Sequence, residues 1–157
     1  MKTIIWTALI AGTIGFVAGN AFWYLASPLW IDRVVSEGLA ETAESRVLAT
    51  GQFRDADRAH KGTGQVEVID TGAETVVRFT EFEVTNGPDL YVWLVKAGDI
   101  TSSDDVKASE WVELGVLKGN IGDQNYALPE GVDISEYGSV TVWCRQFGVL
   151  FSAADLG

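Results

Sequence analysis

From Ile4 to Ile31 the chain carries no charged side chain, a run of 28 residues. As a helix it reaches about 42 Å, against a bilayer hydrocarbon core of about 30 Å. Aromatic side chains account for the surplus: Trp6 lies near the start, and Trp23, Tyr24 and Trp30 lie near the finish. These are residues that settle at membrane–water interfaces. Trp6 and Trp23 stand roughly 26 Å apart on a helix, close to the spacing of the two interfacial belts. Pro28 falls in the outer flank, where a missing backbone hydrogen bond costs least. Residues 1–31 are therefore expected to be a spanning signal-anchor helix, with membrane contact through residues 4–31.

A cleaved signal peptide is the competing reading, because Gly19-Asn20-Ala21 spaces small residues as a peptidase site does. The apolar stretch continues beyond that point through Trp23-Tyr24-Leu25, which favours the uncleaved anchor. Only Lys2 precedes the segment, and no basic cluster follows Ile31. The signal-anchor orientation is thus permitted: a single-pass protein of the cell membrane with its C-terminal domain extracytoplasmic. Ala11, Gly15 and Gly19 recur every four residues, a small-residue face on which two helices can dimerise.

Residues 32–46 read as an acidic stalk, with a helical turn or two carrying Val34, Val35 and Leu39. The apolar trio could equally pack on the domain that follows. From Val47 to the end, short runs of period two alternate with turn residues. The strand candidates are Gln65–Ile69, Thr75–Phe79 with Phe82–Val84, Leu90–Val95, Trp111–Leu117, Asn125–Leu128, Ser139–Cys144 and Phe147–Phe151. Leu90–Val95 is apolar on both faces, as a central strand covered on both sides requires. Asn86-Gly87-Pro88-Asp89 is a dense turn signal. Asn86-Gly87 reads as the pair of a tight turn that tolerates left-handed backbone, with Pro88 stiffening its exit, and Leu117–Gly122 reads as flexible backbone that could approach a ligand closely. Ile100–Ala108 looks like a long polar loop, and no helical periodicity follows the stalk. The expected fold is mainly β: an antiparallel β-sandwich or barrel-like domain at 47–157, preceded by one N-terminal transmembrane helix.

Charge and residue counts remove whole classes of function. With 11 Lys+Arg against 22 Asp+Glu the net charge is -11, which excludes the basic footprint of a nucleic-acid binder. One Cys (Cys144) and one His (His60) preclude an intrachain disulfide, a CxxC pair, c-type haem attachment and a Cys/His zinc site. A blue-copper centre needs two His, so the chain cannot build one unaided. No G-x-S-x-G elbow and no EF-hand spacing is present. The 22 acids offer pairs that a carboxylate hydrolase could use, but runs such as Asp104-Asp105 read rather as solvated surface. The chain does not read as a classical enzyme.

Two residues remain for chemistry. Cys144 ends Val140-Thr141-Val142-Trp143-Cys144, and alternation places it on the face of Val140 and Val142. If that face is the core, the thiol is a small buried hydrophobe; near a strand-end rim it is a redox thiol or soft ligand. Arg145 points to the opposite face. His60 sits in Arg58-Ala59-His60-Lys61-Gly62-Thr63-Gly64, a polar loop. It reads as a surface histidine or, more sharply, as the partner of Cys144. Tyr126, Trp93 and Trp143 read as core or rim aromatics.

An ordered set of motifs supports a resemblance over about 110 residues. The motifs are Gly51-Gln52-Phe53, His60-Lys61-Gly62-Thr63-Gly64, Arg78-Phe79-Thr80-Glu81-Phe82 and Asn86-Gly87-Pro88-Asp89-Leu90-Tyr91-Val92-Trp93-Leu94. Leu114–Gly119, Gly122–Pro129, Val142-Trp143-Cys144-Arg145-Gln146-Phe147 and Phe151–Ala154 follow in order. The region resembles the DM-thirteen domain, the electron-transfer module of Skeletor-type and bacterial membrane proteins. The resemblance implies that Cys144 serves redox chemistry, as a bare thiol or as a ligand to a prosthetic group such as haem. It matches His60 to the family's histidine, so Cys144 and His60 are the candidate cofactor contacts. The cofactor itself stays open: haem or a metal through Cys144, or none. An envelope or redox protein is the expected partner. The alternative is a non-catalytic structural or protein-binding module of the envelope, with Cys144 as packing.

Overall fold

The structure is a computed structural model that describes residues 1–27, 30–39 and 45–157. Pro28 and residues 40–44 of the expected stalk lie outside the described residues. The chain divides into two compact units, Met1–Ile31 and Asp32–Gly157.

The first unit is helix α1, Lys2–Ala26. Its segment Lys2–Tyr24 is long and apolar enough to cross a membrane. Three of its polar side chains bond back within the helix: Thr7 donates to the Thr3 carbonyl, Thr13 to Leu9 and Asn20 to Phe16, at 2.7–2.9 Å. Such back-bonding removes the cost of placing a hydroxyl or amide in hydrocarbon.

The second unit is a β-sandwich. Its strands are β1 (Val34–Ser36), β2 (Arg46–Gln52), β3 (Arg54–Asp55), β4 (Gly62–Asp70), β5 (Thr75–Val84), β6 (Leu90–Val95), β7 (Trp111–Val116), β8 (Ile121–Ala127), β9 (Ser139–Cys144) and β10 (Val149–Asp155). One sheet has the order β1-β8-β5-β4-β2 and the other β3-β10-β9-β6-β7. All pairings are antiparallel except β1 with β8. The main core lies between the sheets. Val66, Val68, Val77, Phe79 and Tyr126 from the first meet Val92, Leu94, Val140, Val142 and Cys144 from the second. A second apolar layer covers the outer face of the second sheet, where Ile100 and Val106 pack on Tyr91, Trp93, Val95 and Trp143. That is why all six residues of β6 are buried.

Several local expectations need correction. The first part of the stalk is not helical: Val34–Ser36 pairs in parallel with Ile121–Asp123. Glu37 anchors it, accepting from Lys118 Nζ at 2.8 Å and from the Asn125 amide at 2.8 Å. The Lys118 ammonium holds the Glu37 carboxyl below its ordinary value. The glycine-bearing run Leu117–Gly122 therefore receives the chain itself. Gly122 has φ +100, and a Cβ there would collide with the Val35 carbonyl. The stretch Ile100–Ala108 contains a helical turn, α2 (Ser103–Lys107). Ser102 and Asp105 form its capping box, so Asp105 is a cap and not free surface. β8 begins four residues earlier than expected, at Ile121, while Phe147 lies in the β9–β10 turn and is exposed.

Candidate functional site

β9 ends on Cys144, between Leu90 of β6 and Val149 of β10. Strand alternation turns its side chain into the inter-sheet core with Val140 and Val142. The thiol has no exposed surface. It donates to the carbonyl of Pro88 at 3.1 Å. Asn86–Leu90, the turn entering β6, thus lies directly against the sulfur.

Two contacts hold that turn. Arg145 donates its backbone N–H to the Asp89 carbonyl at 3.1 Å, and its Nε lies 3.6 Å from the Asp89 carboxylate. Gly87 is a close-approach position: a Cβ there would sit 2.5 Å from the ring of Phe151. The left-handed residue of the turn is Asp89 (φ 55), and neither Asn86 nor Gly87 has positive φ. The left-handed tolerance expected of Asn86-Gly87 is thus not used: glycine is required by the ring against it.

His60 also meets Phe151. The two rings have centroids 4.2 Å apart. The imidazole Nδ1 is 2.8 Å from Asp57 Oδ2, and Asp57 Oδ1 accepts the amides of Ala59 and His60. These bonds, the imidazole first, hold the Asp57 carboxyl down to about 2. Lys61, bonded to Asp55 at 2.7 Å, fixes the rest of the loop. The structure thus gives the two candidate residues different partners, Pro88 for the thiol and Asp57 for the imidazole. A chain of contacts runs between them through the Phe151 ring and the Gly87–Pro88 peptide.

Arg145 lies on the face opposite Cys144, as alternation requires. Its guanidinium covers the Tyr91 ring at 3.9 Å and stands 3.8 Å from Glu113 Oε2. Trp143-Cys144-Arg145 therefore places an indole on the outer layer, a thiol in the core and a cation tying down the cysteine's covering turn. Sequence reading missed Asp89, Phe151 and Glu113 as parts of this site. In the sequence Asp89 stands out as turn composition and Phe151 as a strand residue, both within the motifs of the resemblance, and neither shows there that it meets the cysteine's turn or the histidine.

The family model for Electron transfer DM13 matches residues 52–156. The chain belongs to this family. No curated protein and no solved structure matches it significantly. DM13 membership makes an electron-transfer role the general assignment, and every residue just described except those of the stalk falls inside the matched span.

A haem or a metal ion on Cys144 and His60 can be tested against the donor set. The thiol is sealed and gives its hydrogen to Pro88, and the imidazole lies against the Phe151 ring with its Nδ1 on Asp57. Among the described residues no group of three or more His, Cys, Asp or Glu is placed to hold a metal. The residues present do not fit either group in this conformation.

Proposed function

We propose that this DM13 protein is a single-pass membrane protein whose extracytoplasmic β-sandwich exchanges electrons with an envelope redox protein through the bare thiol of Cys144. The observation that carries the reading is the position of the sulfur: at a strand end, under one turn, bonded to that turn's Pro88 carbonyl. With a single Cys, two-electron oxidation cannot close an internal disulfide. Its product is a mixed disulfide formed with a partner disulfide, or a sulfenic acid formed with a peroxide, whose O–O bond breaks and whose second oxygen leaves as water or an alcohol. In the first case the Cys144 thiolate attacks a partner disulfide, one new S–S bond forms, and the other partner sulfur leaves as a thiolate. The thiol proton goes to water. Both routes need the sulfur exposed, so the Asn86–Leu90 turn is the cover that must lift. The extracytoplasmic setting is supported by the helix Lys2–Tyr24 and the absence of a basic cluster behind it.

Complete burial of the sulfur favours a second reading, a structural or protein-binding module in which Cys144 only packs. The full chain in detergent, mixed with an aromatic disulfide reagent, separates the two. Local lifting of the turn releases one aromatic thiolate per chain faster than the domain unfolds. Release at the global unfolding rate assigns Cys144 to packing.

A further inference from the structure

Three indoles stack on the outer face of the second sheet. Trp111 and Trp93 have ring centroids 3.8 Å apart and planes within 4° of parallel; Trp93 and Trp143 follow at 5.2 Å and 27°. Trp143 is 4 % exposed, Trp93 5 % and Trp111 45 %, so the stack runs from the buried layer to solvent. The inner end, Trp143, is covalently next to Cys144. The middle indole has a proton acceptor, since Trp93 Nε1 donates to Glu113 Oε2 at 3.3 Å. Opposite Trp93 in the β6–β9 ladder is Thr141, whose hydroxyl is buried and is the orphan among described residues. Stacked rings stabilise the fold, but packing alone does not call for a half-exposed outer ring or an acid on the middle N–H.

We propose that Trp111, Trp93 and Trp143 form a one-electron relay between the surface and the strand end that carries Cys144, with Trp111 as the contact for a one-electron redox protein. The inference rests on the electron-transfer reading of the domain but not on the thiol being reachable. A strongly oxidising one-electron partner, a protein carrying a high-valent metal centre, takes one electron from Trp111. Trp93 refills that vacancy and becomes a radical cation, a far stronger acid than the neutral indole. Its Nε1–H bond breaks and the proton passes to the Glu113 carboxylate. The balance is one electron to the partner, one proton on Glu113 and a neutral radical on Trp93. The returning electron reverses each step, and Trp143 extends the exchange by one ring towards Cys144.

Flash photolysis tests this on the full chain in detergent, with a photogenerated ruthenium(III) polypyridyl as oxidant. Trp6, Trp23 and Trp30 are replaced by Phe, so that the stack holds all remaining indoles of the six. The relay yields a neutral tryptophanyl radical in transient absorption. Glu113→Gln, which keeps the stack but removes the base, leaves the radical in its protonated form. Trp93→Phe loses the long-lived neutral species. An unchanged radical spectrum and lifetime in both variants means that Trp111 is oxidised alone and loses its proton to water, which overturns the proposal. Cys144→Ser retains the radical, so a failure of the thiol reading remains distinguishable from a failure of the relay.

Discussion

Replacing Gly87 by alanine tests how the cysteine is covered. The new methyl group would stand 2.5 and 2.6 Å from Cε1 and Cζ of Phe151 and 3.2 Å from Leu90 Cδ2. Carbon atoms in contact prefer about 3.5–4.0 Å, so the ring has to retreat by roughly 1 Å. It has little room, being 6 % exposed with the His60 ring tilted against it. Overpacking of this kind costs about 1–3 kcal/mol. For a domain of this size that corresponds to a Tm lower by roughly 4–12 °C. The backbone adds nothing, because Gly87 does not have positive φ, and the cost must therefore reside in the ring contact. Phe151→Leu in the same chain should relieve it, so thermal unfolding of the four chains of a double-mutant cycle should show a coupling of about 1 kcal/mol or more. The same displacement moves the Pro88 carbonyl, and alkylation of Cys144 should accelerate in Gly87→Ala alone. An additive cycle with an unchanged thiol rate would refute the coupling of Phe151, the turn and the sulfur.

Two further outcomes follow from the same geometry. Gly122→Ala combines a left-handed backbone, φ +100, with a collision at the Val35 carbonyl. It should lower stability by more than about 1 kcal/mol and raise amide exchange in Val34–Ser36, measured by hydrogen exchange, while the β6–β9 ladder stays protected. Asp57 has a depressed carboxyl, so its contribution is present above its unfolded value of 3.8 and is lost as pH falls through about 2. Acid titration followed by amide exchange of Ala59 and His60 should show the loop loosening in that window, and Asp57→Asn should remove the pH dependence.

The sandwich and the apolar helix were legible because both rest on periodicity. Residues alternating in Gln65–Ile69 or Ser139–Cys144 must separate faces in any sheet, and the uncharged run from Ile4 has the length and composition of a helix able to cross a membrane. Val34–Ser36 was not legible as a strand. Three residues carry too little pattern, and what decides the matter is the shape of a distant partner, with Gly119 and Gly122 leaving space for Arg33 and Val35. The α2 turn was hidden for a similar reason: its signal is the Ser102–Asp105 cap, not an apolar period. At the site, alternation located Cys144 on the core face, but it could not show what lies over the sulfur. That depends on Asn86–Leu90 folding back from β6 and on Phe151 reaching Gly87, contacts between residues more than fifty positions apart. His60 remained ambiguous because Asp57, only three residues away, competes for its imidazole.

The oxidation state of Cys144 in the cells that make this protein bears most directly on its role. Acid-quenched cells are labelled with one thiol reagent before reduction and a second after it, and the peptide carrying Trp143-Cys144-Arg145 is read by mass spectrometry. A thiol that exchanges electrons shows a reversibly oxidised fraction, as a sulfenic acid or a mixed disulfide, that changes between aerated and oxygen-starved cells. A thiol found fully reduced in both, and still unlabelled until the domain is denatured, contradicts the account.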